Sequence, residues 1–239
     1  MLTGEDRSAS HCTSPPRSAI GIRMSWTLID SAAEGDALLE LYGKDGMFMI
    51  RANGLELMNG FNHDSETALG TIAAGLARSH EPRILIGGLG LGYTVAAVTA
   101  ALGNAGAVTV AELSTAVIDW FHRYVKASVL PVNPGNLEIM RADVADMLAT
   151  EHRYDVIVLD VDNGPEPLVT ARNGALYAIA GLRALHASLS AEGVALLWSG
   201  FRSAAFEDSA RQAGFAVRYE PFRRPRADLS HYVYILAKA

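Results

Sequence analysis

From Pro82 to the end of the chain, short apolar runs alternate with segments of helical periodicity, and this alternation is the strongest constraint on the fold. It predicts parallel βαβ units with strands at Ile84–Gly87, Ala107–Ala111, Leu137–Met140, Val156–Asp160, Val194–Trp198, Phe215–Tyr219 and Tyr232–Leu236, and with helices such as Tyr93–Leu102 and Ser114–Ala127. The last two strands follow a single helix and are joined by a loop containing Pro221 and Pro225, so the sheet is expected to close on a reversed strand. The expected class is α/β, a Rossmann-like, mostly parallel seven-stranded sheet.

Upstream, "WTLID", "ALLELYG", "GMFMIRA" and "LELMNG" read as strands. Asp45-Gly46 and Asn53-Gly54 separate the last three, which is a hairpin signal, so a small antiparallel β-sheet should precede the main domain. A helix should follow, capped by Asp64 or Ser65, with Leu69, Ile72, Ala73 and Leu76 on one face. The Ser-, Pro- and Arg-rich start, which lacks the apolar middle of a signal peptide, reads as a disordered tail over 1–24, with Met24 as an alternative initiator and a processed targeting segment as the other reading. Residues 25–61 then form the hairpin domain and 62–239 the Rossmann-like domain.

Composition narrows the function. The chain of 239 residues has a net charge of −6, and its basic residues are scattered, so a nucleic-acid partner is not expected. The cluster "FRRPRAD" reads as a solvated loop. One cysteine, Cys12, supports neither a disulfide framework nor a zinc site, and a reducing cytoplasm fits. No apolar run reaches the length of a membrane span. No metal is expected.

Ligands of open parallel sheets bind beyond the carboxyl ends of the strands. Here those ends carry, in order, Gly88, Gly90 and Gly92, then Glu112, then Asp143, then Asp160 followed by Asp162 and Asn163. The ordered set points to a nucleotide site. The spacing is G-x-G-x-G rather than the dinucleotide G-x-G-x-x-G, and an acid after the third strand suits an adenine amine with no pyrophosphate to bind. Glu112 stands about 20 residues beyond the glycines, where an acid takes ribose hydroxyls. S-adenosylmethionine is therefore favoured over NAD, with an NAD-dependent dehydrogenase as a rival. Tyr93, Leu113 and Val144, each directly after one of these positions, complete the candidate cofactor set. Asp143 has a competing reading as a helix cap.

The segments "RILIGGLGLGYT", "VTVAELSTAVIDW", "LEIMRADVADML", "YDVIVLDVDNGP" and "LELMNGFNHDSETALGTIA" together resemble the spermidine synthase superfamily, within the class I S-adenosylmethionine-dependent methyltransferase-fold proteins. The resemblance implies that Glu112 holds the ribose and Asp143 faces the adenine amine. It implies that Asp160 orients or deprotonates the acceptor amine, and that Ser65 and Glu66 stand where those enzymes carry a His-Glu pair. Two departures qualify it. The synthase loop reads G-G-G-D-G-G, its Asp gripping the aminopropyl amine of decarboxylated S-adenosylmethionine, and here that residue is Gly90. The synthase D-S-S-D-P becomes Asp160, Val161, Asp162, Asn163, with the second acid one position early.

An acid at position 90 would repel the carboxylate of intact S-adenosylmethionine. Its absence therefore suggests a transferase that alkylates an amine from the intact cofactor, most simply an N-methyltransferase, with Asp160, Asp162 and Asn163 acting on the acceptor. The alternatives are aminopropyl transfer from decarboxylated S-adenosylmethionine, aminocarboxypropyl transfer, and a non-catalytic nucleotide-binding homologue. A small-molecule amine is the expected substrate, and the hairpin domain suggests a homodimer by analogy. His63, Tyr177, Trp198, His231 and Tyr232 are further candidates for the acceptor pocket, each with packing as its competing reading.

Overall fold

The structure is a computed structural model and describes residues 25–130, 132, 134–148, 154–161, 164, 174–223 and 230–239. The N-terminal tail with Cys12, most of the arginine-rich loop, Asp162 and Asn163 lie outside the described residues.

β1 (Thr27–Glu34), β2 (Ala37–Lys44), β3 (Met47–Ala52) and β4 (Leu55–Asn59) form an antiparallel meander in that order. At both expected hairpins the two turn residues adopt positive φ: 50° and 78° at Asp45 and Gly46, 49° and 78° at Asn53 and Gly54. That is what a two-residue turn needs to match the strand twist. β1 runs past the expected "WTLID" and returns through Gly35 and Asp36, with Glu34 opposite Ala37. Its "SAAE" half has little strand propensity and is held by pairing with β2. One face of the meander buries Leu39, Leu41 and Ile50 in the core.

After α1 (Asp64–Leu76) the elements are β5 (Arg83–Gly87), α2 (Tyr93–Leu102), β6 (Ala107–Glu112), α3 (Thr115–Trp120), a π-helical turn (Phe121–Val125), α4 (Lys126–Val129), β7 (Leu137–Arg141), α5 (Val144–Leu148), β8 (Tyr154–Leu159), α6 (Gly174–Tyr177), α7 (Ile179–Ser188), β9 (Leu189–Ser199), α8 (Ala204–Gln212), β10 (Phe215–Arg223) and β11 (Ser230–Lys238). The seven strands lie in the order β10-β11-β9-β8-β5-β6-β7, and β11 alone runs antiparallel to its neighbours. The period-2 alternation of side chains divides the core. Ile84, Ile86, Val156, Val158 and Val233 face the meander with α1 and α2, and Leu85, Ile157, Leu159, Leu197 and Tyr234 face α6, α7 and α8.

Three expectations need correction. The residue preceding α1 is His63, which makes no side-chain capping bond, and Asp64 and Ser65 belong to the first turn. An acid there still favours the helix, because it sits at the positive end of the dipole. β9 starts at Leu189 rather than Val194, since Leu189 already pairs with Tyr154 across a register shift. The helix expected over 114–127 passes through the π-helical turn, which sets the Phe121 ring under the glycine turn. No helix among the described residues is long and apolar enough to cross a membrane.

Candidate functional site

The parallel ladder continues for one bond past each strand, and this aligns the strand ends. Gly88 N–H donates to Ala111 O at 2.9 Å, Asp160 N–H to Gly87 O at 2.9 Å, and Ala142 N–H to Glu112 O at 3.0 Å. The glycine turn, Glu112, Asp143 and Asp160 thus share one edge of the sheet. At Gly88, φ is +93°, and an added Cβ would lie 2.2 Å from Asp160 O, so the turn and the end of β8 touch through backbone alone.

Glu112 closes β6 with both carboxylate oxygens engaged. Oε2 accepts from Leu89 N–H at 2.8 Å and Oε1 from Ser114 N–H at 2.8 Å. Burial raises its carboxyl above the ordinary range, opposed by backbone hydrogen bonds from Ser114, Leu89, Gly90 and Leu113. A carboxylate has about four lone-pair sites, so hydroxyl donors can still be accepted. Next to it, Leu113, Arg141, Ala142, Asp143 and Asp146 line a groove of about 290 Å³. Asp143 also caps α5, its Oδ1 accepting from Ala145 N–H at 2.9 Å, so the competing cap reading is realised at the same residue. Val144 is buried behind Gly87 rather than open to the groove.

Asp160 follows β8 and accepts the Thr94 hydroxyl at 2.7 Å through Oδ2. Thr94 is buried in the first turn of α2, and its hydroxyl also lies 3.2 Å from Glu66 O. Burial pushes the Asp160 carboxyl up to about 7; the charge of Glu66 adds to the rise and the Thr94 hydrogen bond opposes it. Glu66 is itself buried, and it accepts the Ser65 hydroxyl at 2.5 Å. Ser65 in turn lies 3.0 Å from His231 Nδ1. The reversal of β11 explains the reach of His231: Tyr232 pairs with Ser199, the last residue of β9, so the start of β11 lies at the carboxyl edge.

Other candidates divide. His63 stacks on Tyr93 at 3.9 Å and 6°, and burial together with the Glu66 charge raises the Tyr93 phenol. Trp198 meets His231 edge to face at 4.7 Å, and its buried Nε1 has no hydrogen-bond partner among the described residues. Tyr177 is core, buried against Phe206 with its hydroxyl 3.3 Å from Val161 O, and Tyr232 packs on Tyr219. Sequence reasoning missed two residues. Thr94 was detectable as a hydroxyl following the glycine turn. Met58 carried no signal: it comes from β4, its thioether lies 2.8 Å from where a Gly90 Cβ would stand, and its Sδ accepts Leu91 N–H at 2.9 Å. The space before Gly90 is therefore closed by a flexible side chain rather than by backbone.

An adenosyl ligand fits this arrangement. The glycine turn would admit close approach once the flexible Met58 side chain moves from before Gly90, the groove beside Asp143 has room for a flat ring, and Glu112 between them has acceptors for hydroxyls.

No protein-family model matches the sequence, and no curated protein matches it. Solved structures do. A spermidine synthase in complex with the transition-state analogue AdoDATO superposes with a TM-score of 0.68 at 16% identity, over 89% of this chain and 72% of that one. The spermidine synthase from Thermotoga maritima gives 0.69 at 17% identity, over 89% and 73%. A probable spermidine synthase from Corynebacterium glutamicum gives 0.64 at 14% identity, over 87% and 79%. Residues 60–239 alone are too few to make up 89% of the chain, so the match reaches into the residues before 60. The chain thus has a spermidine synthase-like fold.

Proposed function

We propose that the protein is an adenosyl-sulfonium-dependent transferase that alkylates an amine, and that the group it transfers is aminopropyl. The observation behind this reading is the acid pair: a buried carboxyl at about 7, Asp160, coupled to the buried Glu66 at the edge where the glycine turn and Glu112 stand. The Glu66 charge raises the proton affinity of Asp160, and a cationic or proton-bearing amine beside them relieves the repulsion. The spermidine synthases of the same fold favour aminopropyl over methyl transfer, so the expectation of simple methyl transfer gives way to the alternative weighed beside it.

Gly88, Gly90, Glu112, Leu113 and Asp143 would hold the adenosyl group. When bound, it supplies an alkyl carbon already activated by the sulfonium. The chain's own work is then positioning and proton acceptance. Asp160, oriented by Thr94, takes the proton of the attacking amine, and Glu66 holds charge against the acceptor. Asp162 and Asn163 are assigned to acceptor orientation on the sequence alone.

Gly90 favours a second reading. With Met58 over it and no acid at its Cβ position among the described residues, Gly90 itself offers no charge to grip an aminopropyl amine or to repel a carboxylate, which suits intact S-adenosylmethionine. The two reactions leave different nucleosides, 5′-methylthioadenosine after aminopropyl transfer and S-adenosylhomocysteine after methyl transfer. Calorimetric titration is expected to find 5′-methylthioadenosine bound at least as tightly as S-adenosylhomocysteine. Binding of S-adenosylhomocysteine alone would move the assignment to methyl transfer, and binding of neither would remove the adenosyl site.

A further inference from the structure

Ser65, Glu66 and His231 are three buried polar side chains, at 6%, 8% and 8% exposure, drawn from α1 and from a strand 166 residues away. Burying such groups is costly unless their hydrogen bonds are made, so their meeting needs a reason. Hydrogen counting gives their order. A serine hydroxyl carries one proton. Ser65 donates that proton to Glu66 Oε2, so at 3.0 Å from His231 Nδ1 it can only accept. The chain therefore runs from His231 Nδ1–H to Ser65 and on to Glu66 Oε2. The Trp198 ring edge against the imidazole limits its rotation.

Glu66 is also placed near Asp160, because the Thr94 hydroxyl, which gives its proton to the Asp160 carboxylate at 2.7 Å, lies 3.2 Å from the Glu66 carbonyl. We propose that His231 is a positioning residue for the amine-binding acids, fixing the Glu66 carboxylate beside Asp160 through the hydroxyl of Ser65. The assignment rests on the proposed function, since only an amine acceptor gives this pair of acids a substrate to hold. A Glu66 side chain without this support would be free to change rotamer, and the negative charge facing the amine would spread over several positions.

The test compares His231→Leu, His231→Asn and Ser65→Ala in steady-state kinetics with putrescine and whichever sulfonium donor the unmodified protein uses. His231→Leu should raise the KM for the amine about tenfold, with the KM for the donor unmoved. His231→Asn, which keeps a donor N–H near the Nδ1 position, should restore most of the loss. Ser65→Ala combined with His231→Leu should be no worse than either change alone, as expected for one chain. Additive losses, or an amine KM unmoved in His231→Leu, overturn the assignment. Should the unmodified protein turn over no putrescine, the functional reading fails and ¹⁵N NMR of the imidazole decides the inference separately. A proton on Nδ1 whose signal shifts in Ser65→Ala and Glu66→Gln supports the chain, and an Nε2–H tautomer indifferent to both changes overturns it.

Discussion

Asp160→Asn is expected to lower turnover on the order of 10³-fold while leaving adenosyl-ligand affinity within about threefold, because in the proposed reaction the residue accepts a proton and does not hold the nucleotide. The same variant should make the ligand-free protein more stable at pH 8, on the order of 2 kcal/mol. The sign follows from the raised carboxyl, which burial and the Glu66 charge move from 3.8 to about 7. Between those values the folded protein binds more protons than the unfolded chain, so the stability that Asp160 contributes falls as pH rises from about 4 to about 7 and stays low above that. Asparagine cannot ionise, and its side-chain oxygen can still accept the Thr94 hydroxyl. Urea unfolding at pH 3.5 and pH 8 checks this: the variant should gain over the parent at pH 8 and little at about pH 3.5. The parent's turnover should rise with pH through about 7. Full activity in the variant would remove Asp160 from the chemistry.

Gly90→Asp is expected to reorder cofactor choice. Gly90 sits at φ +50°, a left-handed conformation that aspartate tolerates better than most residues, and among the described residues the only obstacles to a Cβ are the last two heavy atoms of Met58. The Met58 thioether can rotate away. A new carboxylate there would face the ligand's tail. Two like charges about 4 Å apart near a protein surface repel by roughly 4 kcal/mol, so affinity for intact S-adenosylmethionine should fall by about a hundredfold or more, while decarboxylated S-adenosylmethionine is retained or bound more tightly. Calorimetry with both ligands, and with Gly90→Asn as a neutral control, reads the difference. Equal losses for both ligands in the Asp and Asn variants would mean that bulk, and not charge, is felt at position 90.

The sheet was legible because its signals are local. Alternating apolar runs, glycines at a strand end and acids just after strands all survive without knowledge of partners, which is why Glu112, Asp143 and Asp160 could be placed on one edge beforehand. Helix α2 was read to its exact ends for the same reason, bounded by Gly92 and Gly103. What remained hidden depends on contacts between distant segments. Nothing near Met58 announces that β4 folds over the glycine turn. The link between Ser65 and His231 needs both the reversal of β11 and its insertion between β9 and β10. The second half of β1 is a strand only because β2 pairs with it. Asp143 shows a limit of another kind: cap and ligand acid call for the same residue at the same place, and the geometry displays the cap without excluding the second use.

Incubating the full chain with putrescine and decarboxylated S-adenosylmethionine, and in parallel with intact S-adenosylmethionine, followed by mass spectrometry of the amines, tests the central claim most directly. Spermidine and 5′-methylthioadenosine appearing in equal amounts, and lost in Asp160→Asn, is the expected result. Methylated putrescine from the intact cofactor would keep the amine-alkylating site and replace aminopropyl transfer, and no alkylated amine with either donor would contradict the account.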